Sequence, residues 1–274
     1  MSRTPSLGPE AVAFGDSPEV FPVPASVYPR DRWLCAVALG GQGRYAAANA
    51  MLADLLREQR TGPVASQAWS TRASLLRQTG WHRSASGLDG RALALLSPVH
   101  VNDPVAVASA RCDATTGLAA DALGCGRLAL GWRLLDRTGH DLSIYDDGVG
   151  ADVLWRAHVR LNWVAAELSL AGGDFEAAVR HARAASSIAD RSDSIRHRVK
   201  SDLLRAAAAT GQPNSAEAVR IAHDVLLRSD MHGLVPLKWA ASMLLCGVTS
   251  DSSFELERDA CKLLIEQRGG RFNA

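Results

Sequence analysis

The chain has 274 residues, 47% of them hydrophobic, enough to fill the core of one or two domains. Its 30 basic and 29 acidic side chains leave a formal net charge of +1, which excludes the broadly basic surface of a histone-like polyanion binder. Aromatics at 5% and abundant alanine favour close-packed helices over a sheet, and the excess of arginine over lysine (27 to 3) reads as GC-rich codon usage.

Residues 1–30 hold six of the 11 prolines (Pro5, Pro9, Pro18, Pro22, Pro24 and Pro29), a density that argues against a helix. Phe14, Val20, Phe21 and Val23 leave two readings open for this segment. It is either a free tail or an extended strap along a hydrophobic groove of the same molecule, with Phe21 buried. No apolar core follows Arg3 as in a signal peptide, and no run approaches the roughly 20 apolar residues of a membrane span. Five cysteines (Cys35, Cys112, Cys125, Cys246, Cys261), far apart and without CxxC spacing, are expected to be reduced thiols. The expectation is a cytoplasmic protein without a membrane anchor.

From residue 31 onward, apolar-periodic stretches alternate with glycine turns. A glycine followed five residues later by a small residue recurs as Gly43/Ala48, Gly80/Ala85, Gly124/Ala129, Gly173/Ala178, Gly211/Ala216 and Gly247/Ser252, at steps of 37, 44, 49, 38 and 36 residues. Self-similarity at that period marks a stacked repeat. The periodicity predicts twelve helices in six hairpins: 31–41 and 44–59, 63–79 and 82–97, 104–123 and 126–138, 151–171 and 174–191, 194–210 and 214–229, 234–247 and 252–268. Polar inserts at 97–103 and 139–150 account for the two long steps. Charged residues on the final helix read as the polar outer face of a terminal repeat. Residues 271–274 are left as a C-terminal tail.

The hairpin over residues 163–189 carries the clearest signals. Trp163, Ala166, Leu168 and Leu170 give its first helix an apolar stripe, and Val179, Ala182, Ala185 and Ile188 mark the second. Gly172 and Gly173 stop the first helix, and Asp174 caps the second. Trp33, Gly43, Tyr45 and Ala48 reappear as Trp163, Gly173, Phe175 and Ala178, each displaced by 130 residues. Glycine, one residue, aromatic, two residues, alanine is the turn signature of the tetratricopeptide (TPR) repeat, which residues 31–270 resemble as a degenerate array. That resemblance implies an all-α, right-handed α-solenoid of about six antiparallel hairpins, whose first helices line a concave groove that binds peptides.

Catalytic spacing is absent from the sequence: it has no HExxH and no GxSxG, and its eight histidines are scattered. Gly40-Gly-Gln-Gly43 lacks the Lys-Ser/Thr of a phosphate loop and is assigned to a hairpin turn. Asp146-Asp147 alone cannot supply the oxygen ligands of a cation site. No enzyme, metal or cofactor is expected. Counting back thirteen residues from each turn glycine gives Arg30, Gln67, Arg111, Arg160, Arg198 and Leu234; ten back gives Trp33, Ser70, Ala114, Trp163, Ser201 and Leu237. Arg111, Arg160, Arg198 and Arg205, with Trp33 and Trp163, are therefore the candidate partner-binding residues, since guanidinium groups beside an apolar anchor suit carboxylates. The expected role is an adaptor for a protein or peptide with acidic or C-terminal carboxylate groups. A nucleic-acid regulator and a small-ligand sensor module are the alternatives, the first disfavoured by the near-zero net charge.

Overall fold

The computed structural model describes residues 7–96, 103–145, 152–211 and 216–273. Among these, thirteen helices and no strand are found. A short α1 (Pro9–Phe14) precedes six antiparallel hairpins: α2 (Pro29–Gly41) with α3 (Tyr45–Glu58), α4 (Pro63–Arg77) with α5 (His82–Ala94), and α6 (Pro104–Gly124) with α7 (Leu128–Ser143). Then follow α8 (Trp155–Ala171) with α9 (Phe175–Asp190), α10 (Ile195–Ala209) with α11 (Ala216–Met231), and α12 (Val235–Val248) with α13 (Ser253–Gln267). The architecture is the expected TPR-like α-solenoid. Asp146-Asp147 and the rest of 146–150 lie outside the described residues, as do 97–102 of the first insert, whereas residues 139–143, expected in the second insert, continue α7.

Local chemistry sets the joints. Gly173 takes φ +79°, a conformation in which a Cβ is strained, and the Asp174 carboxylate accepts the Ala177 N–H at 2.8 Å as the cap of α9. The third turn differs from expectation. Gly126, not Gly124, holds the positive φ, and Gly124 is the last residue of α6, where a Cβ would meet the His82 ring at 2.3 Å. Gly247 lies inside α12 rather than in a turn.

Small residues let α9 sit close to its neighbours: Ala178, Ala182, Ala185 and Ala189 form a fully buried stripe at i, i+4, i+7 and i+11. Large residues then tie one hairpin to the next. Trp33 Nε1–H donates to Thr71 Oγ1 and Trp163 Nε1–H to Ser201 Oγ, both at 2.9 Å. The same contact is thus made twice, 130 residues apart, with a hydroxyl as its second half.

The first helices α2, α4, α6, α8, α10 and α12 form the inner layer, each touching the next, and α12 touches α2. Instead of an open arc, the two ends meet. Arg268 Nη1 donates to Gln42 O at 2.8 Å, and the Ala46 N–H donates to Arg268 O at 2.9 Å. Trp81 Nε1–H donates to Arg271 O at 2.6 Å, the Asn273 N–H to Thr79 O at 2.8 Å, and Phe272 packs on Trp239. The chain's last helix is therefore joined to its first two hairpins rather than capped against water.

The N-terminal segment departs from its expectation in two ways. Pro9 opens α1 because the first helical turn needs no N–H from it, so proline density did not exclude a helix. Phe21, expected to be buried, is 53% exposed with the Arg44 guanidinium over its ring, whereas Val12, Ala13 and Phe14 are buried. Downstream, Gln42 Nε2 donates to Pro18 O and Val20 O, and Cys35 Sγ donates to Pro24 O.

Phe14→Ala is expected to cost about 3–5 kcal/mol and Phe21→Ala under about 1 kcal/mol, the difference between a filled and an open site. Urea denaturation of both variants checks this; equal losses would contradict the burial pattern.

Candidate functional site: the inner face

Cations gather where the inner helices face one another. On α8, Arg156, Arg160 and Trp163 share a stripe at i, i+4 and i+7; on α10, Arg196 and Lys200 share one at i, i+4. Arg156 and Arg160 both reach Asp113 of α6, at 3.3 and 3.0 Å, and Lys200 stands 3.9 Å from Glu167. Arg77 of α4 pairs with the buried Asp89 and, at 2.8 Å, with Asp121. Arg196 differs from the rest: its contact is Val37 O at 3.4 Å, and among the described residues no carboxylate lies within 4.0 Å of it.

The charges leave their mark on one another. Burial, then Arg156 and Arg160, pull Arg196 down to about 10. Burial also pulls Lys200 down against the attraction of Glu167. Burial pushes the Asp89 carboxyl up to about 7, against the pull of Arg77. His197, 1% exposed, is held well below its ordinary value by burial and by Arg196, Arg156, Arg160 and Lys200.

Aromatic rings complete the wall. His197 stacks on Trp163 at 5.3 Å, meets Trp155 edge-on at 4.8 Å, and touches Phe14 of α1 at 5.7 Å. Phe14 also packs on Trp33 at 5.8 Å, with the Arg156 and Arg196 guanidinium groups 4.1 and 5.9 Å from its ring centre. The Lys200 ammonium lies 4.7 Å from the Trp163 ring. An open crevice of about 820 Å³ is lined by Glu10, Phe14 and Asp16 from the N-terminal segment and by Trp155, Ile188 and Arg191.

The sequence-derived candidates divide into two sets. Arg160 and Trp163 stand on this face, and Trp33 borders it through Phe14. Both indoles are buried with their N–H groups bonded to the neighbouring hairpin, so they wall the site rather than project into it. Arg198 and Arg205 lie about half a turn round α10 from Arg196; Arg198 bonds to Asp193 O and Arg205 to Asp202. Arg111 is exposed on α6, two positions and more than half a turn from the inward Asp113. The slip at Arg111 follows from the third turn glycine: thirteen residues before Gly126 stands Asp113. Arg156, Arg196 and Lys200 were missed. The signal that finds them is the pair of cations at i, i+4, Arg156/Arg160 and Arg196/Lys200, on consecutive first helices.

The fold and face together define an all-α helical-repeat protein of TPR-like construction. That assignment rests on the chain's own hairpins, turn glycines and duplicated tryptophan–hydroxyl bond. No protein-family model and no curated protein matches the chain. Among solved structures it is similar to the TPR-like repeats of a kinesin light chain-like protein from Podosopora anserina, at 16% identity, over 76% of this chain and 94% of that one, with a TM-score of 0.43. BtubC (BKLC) from P. vanneervenii is similar at 13% identity, over 91% and 96% of the two chains, with a TM-score of 0.44. Among the described residues, no helix is long and apolar enough to cross a membrane, and no His, Cys, Asp and Glu cluster of three or more is placed to hold a metal.

Two pH responses follow. Arg77→Met leaves Asp89 and Asp121 buried without their cation, at a cost of about 3–5 kcal/mol near neutral pH. The Asp89 carboxyl, already pushed up to about 7 by burial, then loses the pull of Arg77 and stands further above the unfolded carboxylate value. The lost stability is therefore recovered in part as pH falls, and the melting-temperature deficit against wild type should be smaller at pH 5 than at pH 8. His197 has the opposite sense. Its folded pKa lies below the unfolded 6.5, so its contribution is present above that pH and is lost as pH falls below it. His197→Phe should flatten the acid side of the melting curve; an unchanged slope would show that the imidazole does not report on the inner face.

Proposed function

We propose that the protein is a non-enzymatic helical-repeat scaffold that receives a carboxylate-bearing peptide segment on its inner face. Arg196 and Lys200, with Arg160, attract the carboxylate, and Trp163 walls the apolar part of the segment. The observation that carries this reading is Arg196, a cation held among other cations with no carboxylate within 4.0 Å among the described residues. A buried charge without a counter-ion weakens a fold, and an incoming carboxylate supplies the missing partner through charge-assisted hydrogen bonds. Asp113 and Glu167 on the same face oppose a continuous phosphate backbone, which favours a peptide over nucleic acid.

Arg196→Met separates this role from a structural one. Removing an uncompensated cation should raise the melting temperature, by roughly 2–4 °C for each kcal/mol gained. A random-peptide selection on wild-type protein should return sequences rich in Asp, Glu or free C-terminal carboxylates, a preference that Arg196→Met loses at a cost of about 2–5 kcal/mol in affinity. If the variant keeps the acidic preference, the reading is wrong.

A further inference from the structure

The inner face already holds a segment of its own chain. We propose that α1 is an internal competitor for the peptide seat, with Phe14 in the place of an aromatic side chain of the partner. The partner carries that aromatic residue with a carboxylate immediately after it. This rests on the reading of the inner face as a peptide site.

The Phe14 ring spans a gap that no single hairpin closes. It touches Trp33 of the first hairpin, Arg156 of the fourth, and Arg196 and His197 of the fifth. One residue on, the Gly15 carbonyl accepts the Ile195 N–H at 3.1 Å, at the first turn of α10 and beside Arg196. A backbone carbonyl thus accepts from the N-terminus of α10, while the Arg196 guanidinium lies 5.9 Å from the centre of the Phe14 ring that precedes it.

As an occupant, α1 is poorly matched to this seat. It offers two guanidinium groups a neutral ring, while its flanking carboxylates are engaged elsewhere, Glu10 with Arg30 at 3.0 Å and Asp16 with the Ser17 hydroxyl at 2.9 Å. Among the described residues, Arg196 therefore has no carboxylate within 4.0 Å even with α1 docked. A segment that adds one beside an aromatic ring satisfies what α1 leaves open.

Release is also built into the geometry. At six residues α1 is too short to hold a helix undocked, since isolated helices below about 12–15 residues are marginal in water. Glu10 of α1 is exposed and lines the crevice. Gln42 and Cys35 hold residues 18–24, so α1 can leave while the segment behind it stays attached. Tethered in this way, α1 competes at a high effective concentration, and a partner binds at an affinity reduced by the fraction of time the seat is open.

The test uses the full chain, Phe14→Ala, Arg196→Met and labelled peptides of residues 8–15. The peptides are made with a free C-terminal carboxylate, as the C-terminal amide, and as the amide carrying Gly15→Asp. The free acid should bind Phe14→Ala at least about a hundred-fold more tightly than wild type, as for a seat that the buried Phe14 keeps closed all but about a hundredth of the time. It should also exceed the amide, and Arg196→Met should erase that difference. Recovery by the Gly15→Asp amide identifies a side-chain carboxylate as sufficient.

Equal affinity for wild type and a folded Phe14→Ala, or binding by neither, overturns the proposal. If Phe14→Ala is unfolded by circular dichroism, amide exchange in the wild-type protein decides. Residues 11–15 should exchange faster than α2 and α10, and faster again with the free-acid peptide present, whereas protection equal to those helices overturns it. An acidic preference retained by Arg196→Met would instead sink the peptide-site reading itself.

Discussion

The contact between the last hairpin and the first two is the constraint on which the inner face depends. Arg268, Arg271 and Asn273 carry backbone bonds back to residues 42–46 and 79–81, and α12 meets α2. In an open arc, side chains on the concave side face bulk water, which screens them within about a Debye length. Once the ends meet, the same side chains face each other across a confined space. Burial first, and then the cations on α4, α8 and α10 acting on one another, displace Arg196, Lys200 and His197 toward their neutral forms.

Within that space the carboxylates are distributed unevenly. Asp89 and Asp121 serve Arg77, Asp113 serves both Arg156 and Arg160, and Glu167 stands near Lys200. Arg196 comes last in that sharing. The aromatic cluster around His197 does not neutralise it but keeps the surroundings apolar, which strengthens whatever ionic contact forms there. On the proposed reading, stability and binding pull in opposite directions at this one residue.

The hairpins were legible because their signals are local. A left-handed glycine, an aspartate cap and an alanine stripe act within a few residues, so Gly173, Asp174 and Ala178 to Ala189 could be read directly. The 130-residue echo of Trp33 in Trp163 was also visible, but its hydroxyl partners, Thr71 and Ser201, were not. Serine and threonine are too common for one of them to stand out without its tryptophan. The site was less legible because facing is set by helical phase, and a slip of two residues turns a side chain through more than half a circle. Gly124 and Gly126 flank Cys125, and choosing the wrong one exchanged Asp113 for Arg111. Closure left no local trace at all, since the bonds from residues 268–273 to Gln42, Ala46, Thr79 and Trp81 join positions 190 or more apart.

That closure also fixes something an open solenoid leaves free. Linear repeat arrays lengthen and shorten by duplicating or losing units, because each unit contacts only its neighbours and the ends are unconstrained. Here a seventh hairpin would have to enter between α12 and α2, breaking the bonds to Gln42, Ala46, Thr79 and Trp81 at once. The loss of any hairpin would leave the remaining five unable to span the same circumference. The repeat number behaves as a property of the whole molecule, as a strand count does in a closed barrel.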